Sequence, residues 1–130
     1  MYKRQVRYLG HVDEPTLTAL YESASVLAFP SLYEGFGLPL LEAMGHGVPA
    51  VVGAAGALPE LALGAAIAVK PDDVDAIAGA LERLLSDEKL RAKLGEEGKL
   101  RAANFTWDRA AEQTLKVLHE IGNTTQRKVA

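Results

Sequence analysis

The run Glu34-Gly35-Phe36-Gly37-Leu38-Pro39-Leu40-Leu41-Glu42-Ala43-Met44 constrains this chain more than any other feature. It follows an apolar stretch at residues 26–29 that stops at Pro30, a residue unable to donate to a central ladder. Gly35 and Gly37 permit tight backbone geometry. Pro39 suits the first turn of a helix, where the N–H it lacks would have had no partner. Strand, glycine turn and helix, in that order, are how a parallel α/β sheet presents backbone amides at its C-terminal edge. The amides around Phe36, Gly37 and Leu38 are therefore candidate contacts for a phosphate or for sugar hydroxyls. Glu34 precedes the helix and Glu42 lies one turn into it, where a carboxylate can accept from hydroxyls. A glutamate near a helix N-terminus is also favourable with no ligand at all. The local pattern leaves both readings open.

The surrounding order of elements supports a sheet. Residues 5–10 alternate and end at glycine, as a short strand does. Asp13 is a helix N-cap, with Pro15 in the first turn and Leu17, Leu20, Tyr21 and Ala24 along one face. A short helix begins near Leu38, buries Leu40, Leu41 and Met44, and closes at Gly45 and Gly47. Residues 49–52 read as the next strand and lead into a second glycine turn, Gly53-Ala54-Ala55-Gly56-Ala57-Leu58-Pro59-Glu60. Adjacent parallel strands would bring both turns to one edge, so Gly56 and Ala57 join the candidate contacts. Glu60 either caps the following segment or faces ligand hydroxyls. A weak strand at residues 66–69 precedes a helix opened by Pro71-Asp72-Asp73, with Val74, Ile77, Leu81, Leu84 and Leu85 inward. Residues 86–94 read as a turn or short helix. Thr106 caps a final helix whose Trp107, Ala111, Leu115, Leu118 and Ile121 face inward and which Gly122 stops. The expected organisation is one α/β domain, a three-layer Rossmann-like parallel sheet, over residues 1–122, with a polar tail at 123–130.

Composition narrows the chemistry. The 130 residues contain no cysteine, which excludes a disulfide framework and a thiol nucleophile. His11, His46 and His119 lack close metal-ligand spacing, so no protein-built metal site is expected, and His46 reads as a helix-end or packing residue. The formal charge of −3 and the dispersed basic residues give no footprint for nucleic acid. Ser31 lacks a nucleophile-elbow context, against a serine hydrolase. The absence of an apolar leader leads to the expectation of a cytoplasmic protein. The ligand that fits both the amides and the carboxylates is a nucleotide-sugar.

Residues 30–44, Pro-Ser-Leu-Tyr-Glu-Gly-Phe-Gly-Leu-Pro-Leu-Leu-Glu-Ala-Met, closely resemble the donor-binding signature of the retaining glycosyltransferases of family 4, with seven residues between the two glutamates. The resemblance extends to Tyr8-Leu9-Gly10-His11-Val12, Ala24-Ser25, Gly47-Val48-Pro49, Ala57-Leu58-Pro59-Glu60, Pro71-Asp72-Asp73 and Phe105-Thr106-Trp107. It implies the later part of the C-terminal domain of a GT-B fold. It further implies that Glu34 sits by the transferred sugar and supports the retaining transition state. Phe36, Gly37 and Leu38 would give backbone contacts to sugar or diphosphate, and Glu42 would bind the nucleotide ribose. The donor would be a UDP-, GDP- or ADP-sugar, the transferred group a hexose such as mannose or glucose, and no cofactor or protein-bound metal would be needed.

The acceptor implied is a sugar, lipid or polysaccharide, and a full enzyme could sit peripherally on a membrane. The family's acceptor-binding first domain, and the strands carrying its diphosphate-neutralising arginine and lysine, are not expected among these 130 residues. Another domain or chain is therefore expected to complete the cleft, and residues 5–9 are expected to lose their usual strand neighbour. Ala54 stands where relatives carry Ser or Thr, Leu63-Gly64 where they carry Gly-Asp, and Lys70 where they carry an acidic residue. A catalytically inactive α/β nucleotide-binding or interaction module of the same descent is the alternative. A dehydrogenase is disfavoured because the full dinucleotide fingerprint is absent.

Overall fold

Strand β2 (Ala50–Gly53) is buried along its whole length and lies between two partners, both parallel to it. The computed structural model describes residues 5–126. β1 (Leu27–Phe29) pairs with β2 in the register Phe29 to Val52, and β3 (Ile67–Val69) pairs with it in the register Gly53 to Val69. Parallel pairing sends the three loops that follow these strands to one edge. Side chains alternate across β2, so Ala50 and Val52 pack against α2 (Leu38–Gly45) and α3 (Leu58–Ala62). Val51 points the other way, onto Ala80 and Leu84 of α4 (Val74–Ser86) and Leu94 of α5 (Glu88–Ala102). The result is an α/β fold of helices, sheet and helices.

Aspartates start three of the helices. Asp13 accepts from the Thr16 amide at 3.1 Å at the head of α1 (Glu14–Ser23), and the Thr16 side chain, then its amide, hold the Asp13 carboxyl below the ordinary range. Asp73 accepts from Ala76 and Asp87 from Leu90, each at 2.9 Å. Asp87 also ends α4, so one residue closes a helix and opens the next. Arg91 reaches back across this corner, its Nη1 donating to the carbonyls of Leu84 and Leu85.

The structure departs from the sequence expectations in several places. Residues 6–10 form no strand and lie exposed, because among the described residues no ladder partner lies beside them. Of the segment 86–94, expected to be a turn or short helix, residues 88–94 open α5, a helix of 15 residues. Gly95 and Gly98 weaken it as an isolated helix but allow it to lie against α2. A Cβ on Gly95 would overlap the Gly47 carbonyl, and one on Gly98 would sit 3.3 Å from Met44 Cγ. Val74 and Leu85, expected inward on α4, are exposed, whereas Leu84 and Ala80 are buried. α3, expected as the end of a glycine turn, is a short helix.

The last helix, α6 (Trp107–Gln126), opens as expected, with Thr106 Oγ1 accepting from the Arg109 amide at 3.2 Å. It runs through Gly122, since one glycine costs a long helix only about 1 kcal/mol. Its apolar residues do not face inward. Trp107 is 87% exposed, and Leu115, Leu118 and Ile121 are all exposed too. The helical spacing of this stripe is real, but the described residues cover β2 without it.

A contrast follows for this chain. Leu84→Ala, at a fully buried site, is expected to destabilise by about 2–5 kcal/mol. Leu118→Ala is expected to stay within about 0.5 kcal/mol. Urea unfolding of the two variants checks this.

Candidate functional site

At the C-terminal edge of the sheet the loops after β1 and β2 touch one another through backbone. After β1 the chain passes over the end of β2, where a Cβ on Gly53 would overlap the Ser31 carbonyl. Ser31 Oγ donates to the Tyr33 carbonyl at 3.2 Å, tightening this turn. Gly56 has φ +58, and a Cβ there would lie 2.7 Å from Glu34 O and 2.9 Å from Glu34 N. The Ala57 amide donates to the Glu34 carbonyl at 3.1 Å. The second glycine turn thus holds Glu34 by its backbone. Ala57 bears on the site through this bond, which engages its amide.

The Glu34 side chain is half-buried, and its carboxylate makes no hydrogen bond or ion pair with any described residue. Gly37 is buried at φ +99, in the left-handed region that favours glycine. A Cβ there would lie 2.6 Å from Leu58 Cδ2, so the head of α2 rests on the head of α3. No side chain caps α2, and Leu38 and Phe36 are exposed beside that uncapped end. An uncapped N-terminus leaves donors that favour an anion.

Phe36 is supported from behind. Its ring meets Phe105 edge-on at 5.9 Å, and the Arg101 guanidinium lies 4.8 Å from the Phe105 ring centroid. Arg101 Nε donates to the Leu61 carbonyl at 2.9 Å and Nη2 to the Glu60 carbonyl at 3.1 Å. Arg101 carries no local signal in the sequence, because its partners are carbonyls some forty residues away. Glu60 itself lies exposed in the first turn of α3.

Glu42 is exposed on α2, and Tyr21 of α1 donates to its Oε2 at 3.0 Å. The sequence pattern puts Tyr21 only on an apolar helix face. Its ring stacks on His46 with centroids 5.6 Å apart, and His46 closes α2 as its C-cap, in agreement with a packing role. Burial, then the Glu42 hydrogen bond and charge, push the Tyr21 phenol from 10.0 up to about 12. Lys70, beyond β3, pairs with Asp72 at 3.3 Å on the surface. Among the described residues no cluster of His, Cys, Asp or Glu could hold a metal ion, and no helix is long and apolar enough to cross a membrane.

Two outcomes test this geometry. Gly56→Ala combines left-handed backbone with overlap against Glu34, so a loss of about 1–3 kcal/mol is expected. Amide shifts from NMR should localise the disturbance to residues 31–37. Because the fold favours the protonated Tyr21 phenol, its contribution is complete below pH 10 and is lost as pH rises towards 12. The stability difference between the wild type and Tyr21→Phe should shrink across that window in alkaline unfolding experiments.

Residues 1–101 match the family described as glycosyl transferases group 1. The chain is 41% identical over 110 residues to O-antigen chain mannosyltransferase B of Escherichia coli, covering 85% of this chain and 29% of that protein. Sucrose-phosphate synthase from Thermosynechococcus elongatus superposes with a TM-score of 0.83 at 32% identity, over 92% of this chain and 31% of that one. The C-terminal domain of a group 1 glycosyl transferase from Francisella tularensis superposes with a TM-score of 0.64 at 31% identity, over 76% of this chain and 51% of that one. This chain therefore spans less than a third of the length of the curated relatives it matches. With its parallel sheet, its uncapped helix α2 and its paired glutamates, this chain belongs to the group 1 glycosyl transferases and has the fold of part of their C-terminal domain.

Proposed function

We propose that this chain is the donor-binding region of a retaining hexosyltransferase of the GT-B type, which transfers a sugar from a nucleotide-sugar to an acceptor. One observation carries the reading. Glu34, its carboxylate uncommitted, and Glu42 flank the uncapped head of α2 at the sheet edge where the loops after β1 and β2 meet. Glu42 binds the ribose hydroxyls of the nucleotide. The amides of Phe36, Gly37 and Leu38 receive the diphosphate or sugar, while Gly56 and Ala57 hold Glu34 against the transferred group. There the Glu34 carboxylate orients the sugar and offsets positive charge that develops at the anomeric carbon as the diphosphate leaves. The mannosyltransferase and sucrose-phosphate synthase relatives favour a hexose donor, with UDP, GDP or ADP as the nucleotide. A sugar, lipid or polysaccharide serves as acceptor, in the cytoplasm.

Transfer needs water excluded and the acceptor aligned, which requires a second wall to the cleft. That wall, with cations for the diphosphate, comes from another domain or chain. The 130 residues alone are thus expected to turn over little or no donor.

Calorimetric titration with UDP, GDP, ADP and their glucose and mannose conjugates tests the reading. Glu42→Ala should weaken every ligand of the preferred base by about tenfold or more, the worth of a hydrogen bond to a charged group. Glu34→Ala should remove only the extra affinity of the sugar conjugate. A folded chain that binds none of these ligands, or rapid sugar transfer by the chain alone, sinks the corresponding part of the reading.

A further inference from the structure

We propose that Tyr21 is a positioning residue for the donor, holding the Glu42 carboxylate ready for the ribose before the nucleotide arrives. The inference rests on the assignment of Glu42 to the ribose made above. It concerns a residue on a different helix, 21 positions away, that the sequence pattern places only on an apolar face.

Glu42 is exposed on α2, and a free glutamate side chain at such a place samples many rotamers. Binding ribose through it would require that freedom to be lost at the moment of association. Tyr21 removes much of it in advance. Its hydroxyl donates to Oε2 at 3.0 Å and lies 3.4 Å from the Pro39 carbonyl, so the shorter bond goes to the carboxylate. With Oε2 engaged, Oε1 is left to accept from the ribose. A carboxylate has lone pairs enough to serve both the phenol and a sugar hydroxyl.

The tyrosine is itself fixed from two directions. Its hydroxyl reaches the first turn of α2 at Pro39, while its ring lies nearly parallel to His46, at an interplanar angle of 13°, beyond the helix's last turn. His46 is tied to the same helix, its amide donating to the Glu42 carbonyl at 3.1 Å. Tyr21 therefore spans α2 and can place Glu42 relative to both ends of it. α1 has no fully buried residue, so a purely packing account would not call for a hydroxyl here. The high-lying ionisation of this phenol keeps it a donor throughout the neutral range.

The alternative, that Tyr21 only rivets α1 to α2, makes a different prediction for ribose recognition. The experiment is titration of wild type, Tyr21→Phe, Glu42→Gln and the double variant with UDP, GDP and ADP, each beside its 2′,3′-dideoxy form. Phenylalanine keeps the ring on His46, and thermal unfolding at neutral pH verifies that the variants are folded. Wild type should prefer the ribose form of its nucleotide by about tenfold or more, and Glu42→Gln should abolish that preference. Tyr21→Phe should reduce the preference by about fivefold while leaving dideoxy affinity unchanged, and should add nothing in the double variant.

If Tyr21→Phe weakens both forms equally, or leaves the preference intact while Glu42→Gln abolishes it, the positioning role is overturned and the ribose assignment stands. If Glu42→Gln keeps the preference, the ribose assignment fails and takes this inference with it. A folded wild type that binds none of the three nucleotides, or binds both forms alike, overturns both.

Discussion

The close passage of the loop at residues 31–34 over the ends of β2 and its following turn is the contact on which the site depends. Two residues without side chains make it possible. Gly53 lies beneath the Ser31 carbonyl, and Gly56 lies against the Glu34 backbone in a conformation that a β-carbon disfavours. The Ala57 amide then locks the loop through the Glu34 carbonyl. A half-buried carboxylate on a loop would otherwise wander. Here the backbone is fixed by its neighbour, so the side chain is presented from a defined place on the sheet edge. The parallel register of β1 and β2 is what brings the two loops within reach.

The same device recurs between helices. α5 carries Gly95 and Gly98 where it meets Gly47 and Met44, and the missing β-carbons let the two helices approach closely. α2 is thereby held on one side by β2, at its head by Leu58, and along its flank by α5. From the end of α5 the support continues through Arg101 and Phe105 to Phe36. Helix α2 and the loop before it are thus braced from several directions, which suits a helix whose N-terminus is left uncapped by the protein itself. Preorganised donors of this kind need no reordering when an anion arrives.

Much of this was legible in the residue pattern because the signals were local. Asp13 and Asp73 cap helices at the places their spacing suggests, Pro30 follows the end of β1, and Gly37 precedes a helix that begins at Leu38. The misses share a cause of the opposite kind. The length of α5 was hidden because Gly95 and Gly98 lower helix propensity, and only the surface of α2 shows why they are there. The stripe of Trp107, Leu115, Leu118 and Ile121 has the period of a buried face, yet periodicity states only that a helix is amphipathic and not that anything covers it. The alternation at residues 6–10 likewise implies a strand only if a partner lies alongside.

By itself, the sequence determined the α/β class, the two glycine turns, the chemical kinds at the site and the family to which they point, since each is written in neighbouring residues. Tertiary structure decided which groups meet. It placed Gly56 against Glu34, brought the Tyr21 hydroxyl to Glu42, and set Phe105 against the Phe36 ring. These contacts join residues from about twenty to more than sixty positions apart, where no local propensity acts. They exist only because strand pairing and helix packing bring distant backbone into contact, and a one-dimensional pattern carries no record of that geometry.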